Sequence, residues 1–145
     1  MADRTSSSTT IRAAQADIMA VIADLEAYPD WASGIRSFEV TETGDDGRAR
    51  RARMTFEGGP ISDTVGLAYT WEGDDAVRWE LVEPGAVVTG LHGAYTLTPA
   101  GDAETEVTYE LAVDVRVPMI GMVRRKGEKR IIDSALKGLK RHIEG

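Results

Sequence analysis

From residue 35 to residue 116 the chain keeps one period: apolar and polar side chains alternate in twos, interrupted only by short clusters of turn residues. The interruptions are Gly44-Asp45-Asp46-Gly47, Gly58-Gly59-Pro60, Gly73-Asp74-Asp75, Glu83-Pro84-Gly85 and Pro99-Ala100-Gly101-Asp102. They divide the stretch into six predicted strands, 35–43, 48–57, 61–72, 77–82, 87–98 and 105–116. Connections this short allow only antiparallel neighbours, because a parallel return needs about a dozen residues or more. One parity carries the apolar side chains: Phe38 and Val40, then Ala52, Met54 and Phe56, then Val65, Leu67, Tyr69 and Trp71. It continues through Val77, Trp79 and Leu81, then Leu91, Tyr95 and Leu97, and ends in Val107, Tyr109, Leu111, Val113 and Val115. A sheet with one greasy face needs one cover.

After Pro118 the period becomes helical, with Ile131, Ala135, Leu139 and Ile143 in one stripe, Ile132 and Leu136 beside it, and Lys and Arg opposite. A helix over 120–144 is about 35 Å long, enough to cross the whole sheet, and is the predicted cover. At the other end, Thr5 to Arg12 reads as a first strand, and Ala14, Ile18, Val21, Ile22 and Leu25 place an amphipathic helix over 15–26. Pro29 disfavours helix at Tyr28 and opens a second small helix, predicted near 29–34. The expected fold class is therefore α+β in a single domain, 1–145. It has a first strand, two small helices, then six strands, making a curved antiparallel sheet of about seven strands wrapped on a long C-terminal helix.

Composition narrows the chemistry. With no cysteine there is neither a disulfide framework nor a thiolate nucleophile, and with two histidines zinc would have to rely on carboxylates. The 17 basic and 24 acidic residues leave a formal charge of −7, which argues against nucleic acid as a partner. There is no signal-peptide apolar core and no apolar run of about 18 residues, so a cytoplasmic location is expected. The charge is uneven, however: from Arg124 onward lie eight of the basic residues and only three of the acidic ones. Arg124, Arg125, Lys126, Lys129 and Arg130 read either as a solvated helix face or as a surface for transient contact with a membrane or an acidic carrier protein.

Two motifs carry a resemblance. Ala27-Tyr28-Pro29-Asp30-Trp31, after the first helix, resembles the aromatic-Pro-acid-Trp element of the START-like, or SRPBCC, helix-grip superfamily. Lys137-Gly138-Leu139-Lys140-Arg141-His142-Ile143-Glu144 resembles the ending of its polyketide cyclase/dehydrase and lipid-transport branch, and the order of elements is similar over nearly the whole chain. The resemblance implies an interior cavity between sheet and helix, used in the family for lipids, sterols, polyketides and hormones, and in some members for folding and dehydrating a polyketide. The aromatase/cyclases use an inward Tyr after the small helix and a Ser and an Arg on the strand corresponding to 61–72. Those positions fall here on Ile35 and on either Gly66 and Ala68 or Leu67 and Tyr69. The set is not matched, so no catalytic residue, cofactor or metal is assigned.

The residues expected to line the cavity are Trp31, Met54, Phe56, Val65, Leu67, Tyr69, Trp71, Trp79, Leu91, Tyr95, Tyr109, Leu111, Met122, Ile131 and Ala135. The phenols of Tyr69, Tyr95 and Tyr109 either donate to a ligand or are core aromatics bonded to backbone. Met119 and Met122 are a deformable entrance or ordinary gap filling. His92 has outward parity, His142 lies at the helix end, Asp114 points outward, and Asp63 falls at the cavity mouth or the surface. The expected function is binding or carriage of a hydrophobic small molecule, lipid-like or polyketide-like. One alternative is a cyclase, aromatase or dehydratase with a buried Tyr as acid; another is a protein-interaction domain with a vestigial cavity.

Overall fold

In the computed structural model, which describes residues 5–58, 61–116 and 121–145, the chain opens with β1 (Thr5–Ile11), α1 (Gln15–Ala23) and a 3-10 helix, Leu25–Asp30. The strands β2 (Ile35–Thr43), β3 (Ala49–Gly58), β4 (Ile61–Glu72), β5 (Ala76–Glu83), β6 (Val88–Gly101) and β7 (Glu104–Val115) follow, then α2 (Gly121–Glu144). The seven strands form one curved antiparallel sheet in the order β1-β7-β6-β5-β4-β3-β2. Consecutive hairpins account for five of the six pairings, and β1 closes onto β7 with Thr5 opposite Leu111 and Ile11 opposite Thr105. β6 runs through Pro99 to Gly101, where the ladder with β7 takes a register shift; beyond Thr96, the last residue β5 pairs, β6 has a single neighbour, a place where proline is tolerated.

Two sequence expectations shift. The small helix is a 3-10 turn over Leu25–Asp30 with Pro29 inside it, not a helix opened by Pro29 over 29–34, and α1 ends at Ala23. Leu25 and Tyr28 are both buried, and a spacing of three puts them on one side of a three-residue turn; Pro29 removes only one donor from so short an element. The buried stripe of α2 is Glu128, Ile132, Leu136 and Leu139, while Ile131 is half exposed and Ala135 and Ile143 are partly buried. The reason is position: α2 packs against β1 and β7, at one margin of the sheet, so the stripe turned toward those strands is the covered one.

The helix is tied along β1. Lys129 Nζ donates to Ser7 Oγ (3.3 Å), Lys140 Nζ to the Thr10 carbonyl, and the Arg12 N–H to Glu144 Oε2 (2.9 Å). Packing is uneven along the bowl. Where α1 lies, Ile11, Ile18, Met19, Ile22, Val77 and Val107 are fully buried. Toward the opposite end, where β7 stops and α2 starts, the inner-face residues Met54, Phe56, Leu81, Leu91, Val113 and Val115 are only partly buried.

Candidate functional site

The ladder registers put the expected inner-face residues side by side: Met54 opposite Val65, Leu67 opposite Leu81, Tyr69 opposite Trp79, and Tyr95 opposite Tyr109. Trp79 also pairs with Gly93, and its indole lies over that glycine, where any Cβ would collide with the ring. The glycine thus turns a large side chain sideways across the floor of the bowl. The result is a continuous aromatic surface. Ring centroids are 5.8 Å apart for Tyr69 and Trp71, 5.8 Å for Tyr69 and Trp79, 5.5 Å for Trp79 and Tyr95, and 4.6 Å for Tyr95 and Tyr109. These are tilted and offset contacts of the kind the ring quadrupole favours.

The phenols on this surface divide into two groups. Tyr28, on the 3-10 helix against Trp31 and Phe38, donates to the Ile22 carbonyl at 2.6 Å and is a packing residue. Among the described residues, Tyr69, Tyr95 and Tyr109 have no hydrogen-bond partner for their hydroxyls. Burial raises the pKa of Tyr69 and Tyr95 well above 10, reinforced by the mutual repulsion their ionised forms would suffer with Tyr109, whose pKa burial also raises. All three therefore remain neutral donors at physiological pH. Tyr69 is half-buried, and burial is the main cause of its raised pKa.

The other expected lining residues take distinct places. Val65, Leu67, Trp79, Tyr95, Tyr109 and Leu111 are buried on the floor, with Met54, Phe56 and Leu91 partly buried toward the open end. Trp31 is buried beside Tyr28, and its carbonyl meets α2 at Gly138, where a Cβ would collide with it. Trp71 is engaged by the hairpin end: its indole N–H donates to the Ala49 carbonyl (2.6 Å), and the Arg48 guanidinium lies 5.2 Å from the ring. Ala135 is partly buried, Ile131 is half exposed, and Met122 is 61% exposed at the start of α2. Met119 lies outside the described residues.

Of the residues on β4 singled out from the sequence, Leu67 and Tyr69 face inward while Gly66 lies against Glu83 on the other side. Ile35, also singled out, opens β2 and is partly buried. Several polar residues outside the bowl have charged neighbours, although His92 Nε2 and Arg124 Nε are buried without a hydrogen-bond partner among the described residues. Asp114 pairs with Arg124 at 3.2 Å, His92 sits across from Glu80 with 3.7 Å between Nδ1 and Oε1, and Arg48, Arg50 and Arg53 pair with Asp74, Glu42 and Glu39. Among the described residues no group of three His, Asp or Glu is placed to hold a metal ion.

Two acidic residues have roles that alternation does not reveal. Asp63 accepts four backbone N–H groups, from Thr64 and Ala86 on Oδ1 and from Val87 and Val88 on Oδ2, at 2.8–2.9 Å. Desolvation alone would raise its pKa, but these donors outweigh it and hold the carboxylate below 3.8. It thereby pins the β5–β6 loop at the open end, which Arg116 also holds through its own N–H to the Val87 carbonyl (2.7 Å). Glu128 is buried and accepts from Thr5 Oγ1 (2.6 Å) and the Val113 N–H (2.7 Å). The signal for it was present in the sequence: Glu128 stands four residues before Ile132 and eight before Leu136, on the apolar stripe itself.

A family model described as polyketide cyclase / dehydrase and lipid transport matches residues 2–144. Solved structures of the same shape include a START superfamily protein from Mycobacterium smegmatis, 23% identical over 97% of each chain with a TM-score of 0.90. The ZhuI aromatase/cyclase from a Streptomyces species is 12% identical, covering 99% of this chain and 94% of that one, with a TM-score of 0.81. The di-domain ARO/CYC StfQ from the steffimycin biosynthetic pathway is 17% identical over 96% of this chain and 45% of that one, with a TM-score of 0.69. At these identities the likeness is one of fold, the helix-grip arrangement of sheet and C-terminal helix. No curated protein sequence matches the chain.

Proposed function

Because the chain belongs to the polyketide cyclase/dehydrase and lipid transport family, we propose that it binds and carries a hydrophobic small molecule, lipid-like or polyketide-like, in the bowl between the sheet and α2. One observation carries this reading. Three neighbouring phenols, on Tyr69, Tyr95 and Tyr109, sit on an apolar aromatic floor without a protein hydrogen-bond partner among the described residues. A concave apolar surface with a few convergent polar groups is the usual form of a small-molecule site, and phenols left this way gain from a ligand oxygen that accepts from them.

Displacement of a hydrophobic fluorophore, followed through quenching of Trp79 and the other indoles, tests the proposal, and native mass spectrometry of gently purified protein identifies any molecule already held. Uptake of neither probe nor cargo would sink it. Tyr95→Phe and Tyr109→Phe are each expected to weaken a carbonyl-bearing ligand by about 5–30-fold, the worth of one hydrogen bond in a dry site, and to leave a hydrocarbon probe of similar shape unaffected.

Turnover by a buried Tyr acting as acid is the second reading. The raised phenol pKa values count against it, because a phenol far above neutrality is a good donor but a reluctant source of protons. Tyr69→Phe separates the two: loss of turnover of a poly-β-ketone analogue with binding kept favours chemistry, while a loss confined to binding favours carriage.

A further inference from the structure

The large apolar side chains most exposed among the described residues are Val82, Met122, Val123 and Ile131, and three of these four lie in the first half of α2. On a helix of 3.6 residues per turn, Met122, Lys126, Arg130 and Val123 fall within an arc of about 100°. The centre of that arc is turned about 130° from the centre of the buried stripe of Glu128, Ile132, Leu136 and Leu139. Ile131 stands on the flank between the two. Nothing in the packing of the described residues covers Met122 or Val123, and neither Lys126 nor Arg130 has an ion-pair partner among them.

Helix stability does not explain this composition. Cations in the first turns oppose the helix dipole, and the first turn of α2 holds no acidic residue to offset them. Nor does the charge of the whole chain, which is −7, with eight of its 17 basic residues gathered from Arg124 onward. The three acidic residues of that segment are already engaged: Glu128 is buried, Asp133 pairs with Lys129 at 3.0 Å, and Glu144 pairs with Lys140 at 3.2 Å. The outer arc at the start of α2 therefore presents apolar side chains set among cations.

We propose that this arc docks the protein on an anionic lipid membrane, with Met122 and Val123 entering the interface and Lys126 and Arg130 meeting the headgroups. Apolar residues beside Lys and Arg on one helix face are what an interfacial helix uses, the first for insertion and the second for attraction to acidic lipid. An acidic protein would match the cations, but Met122 and Val123 favour lipid. The consequence is orientation: α2 starts at the open end of the bowl, so docking turns that end toward the bilayer, where an apolar cargo would enter or leave. The surface stands independently of the cargo proposed above; a protein that took up no fluorophore but bound vesicles would leave this inference intact.

Co-sedimentation of the full chain with phosphatidylcholine vesicles, with and without phosphatidylserine, tests it. Binding is expected to be at least about tenfold stronger with phosphatidylserine and to fall as salt rises. Met122→Ser with Val123→Ser is expected to cut binding to the anionic vesicles at least about fivefold, and Lys126→Glu with Arg130→Glu to abolish the preference for them. All four positions are exposed or face away from the core, so an unchanged thermal melt certifies the fold. Failure of the parent chain to bind phosphatidylserine vesicles at low salt overturns the proposal. So does a Met122→Ser/Val123→Ser variant that binds as the parent does while charge reversal abolishes binding; that result marks a surface for an acidic protein.

Discussion

Asp63 shows how far one side chain's role departs from its place in an alternating pattern. Parity put it near the apolar floor and turn chemistry put it near a loop, yet its work is to accept the N–H groups of Thr64, Ala86, Val87 and Val88. Nothing in residues 60–66 announces that, because three of the donors come from a loop more than twenty positions away. Asp63→Asn is expected to cost about 1–2 kcal/mol, since the amide keeps one acceptor but loses the charge that strengthens these bonds. The pH dependence follows from the folded-state pKa lying below the ordinary 3.8. The stabilisation is complete above about pH 4 and fades as acid drives the pH through the lower folded value, so parent and variant melting curves should converge there. The three inward tyrosines were legible as inward; that they lack partners while Tyr28 has one was not, because a hydroxyl's partner depends on what the chain folds against it.

At the scale of the element, α2 is placed by two of its own residues. Gly138 lets the helix approach the backbone of Trp31 until the carbonyl occupies the space a Cβ would need. Alanine there is a better helix former by about 1 kcal/mol, but forcing backbone apart costs roughly 1–3 kcal/mol in a packed region, so Gly138→Ala is expected to destabilise in a denaturant melt. Glu128 acts at the other half of the helix, receiving the Val113 N–H just past the Thr5–Leu111 pair where β1 and β7 meet. Glu128→Ala is expected to cost about 1–3 kcal/mol by stranding that buried donor, with faster amide exchange at Val113 as the local readout. The six hairpin strands came from alternation and turn residues alone, β2 and β4 with the observed bounds and the other four off by one to three residues. The 3-10 helix was displaced from 29–34 to 25–30 because the burial of Leu25 and Tyr28, not Pro29, decides where it lies.

For the whole molecule, the contrast between a packed end and a less tightly packed end is the property on which the proposed carriage rests. Leu97 and Leu91 lie on the same face of β6, yet Leu97 is 3% exposed in the core with Val107 opposite, while Leu91 is only partly buried. Leu97→Ala is expected to cost about 2–5 kcal/mol as a cavity opens among fixed neighbours. Leu91→Ala, at a partly buried position, should cost about 1 kcal/mol or less and, on the proposed carriage, alter uptake of a hydrophobic probe; urea midpoints of the two variants make the comparison.

By itself the sequence determined the order of elements, the antiparallel connectivity and which face of each strand is apolar. These follow from short-range rules: a two-residue side-chain period, turn chemistry every ten residues or so, and a final run of helical period. Tertiary structure decided the rest. Parity named Trp71 and Tyr69 alike, but only packing engages the first with Ala49 and leaves the second without a partner. The periodicity of α2 put Ile131 in its apolar stripe with Ile132 beside it, and only its seat at the β1 and β7 margin buried Ile132 fully and left Ile131 half exposed. The physical reason is the same in each case: alternation specifies a direction, whereas occupancy, partnership and exposure depend on groups brought together from distant parts of the chain.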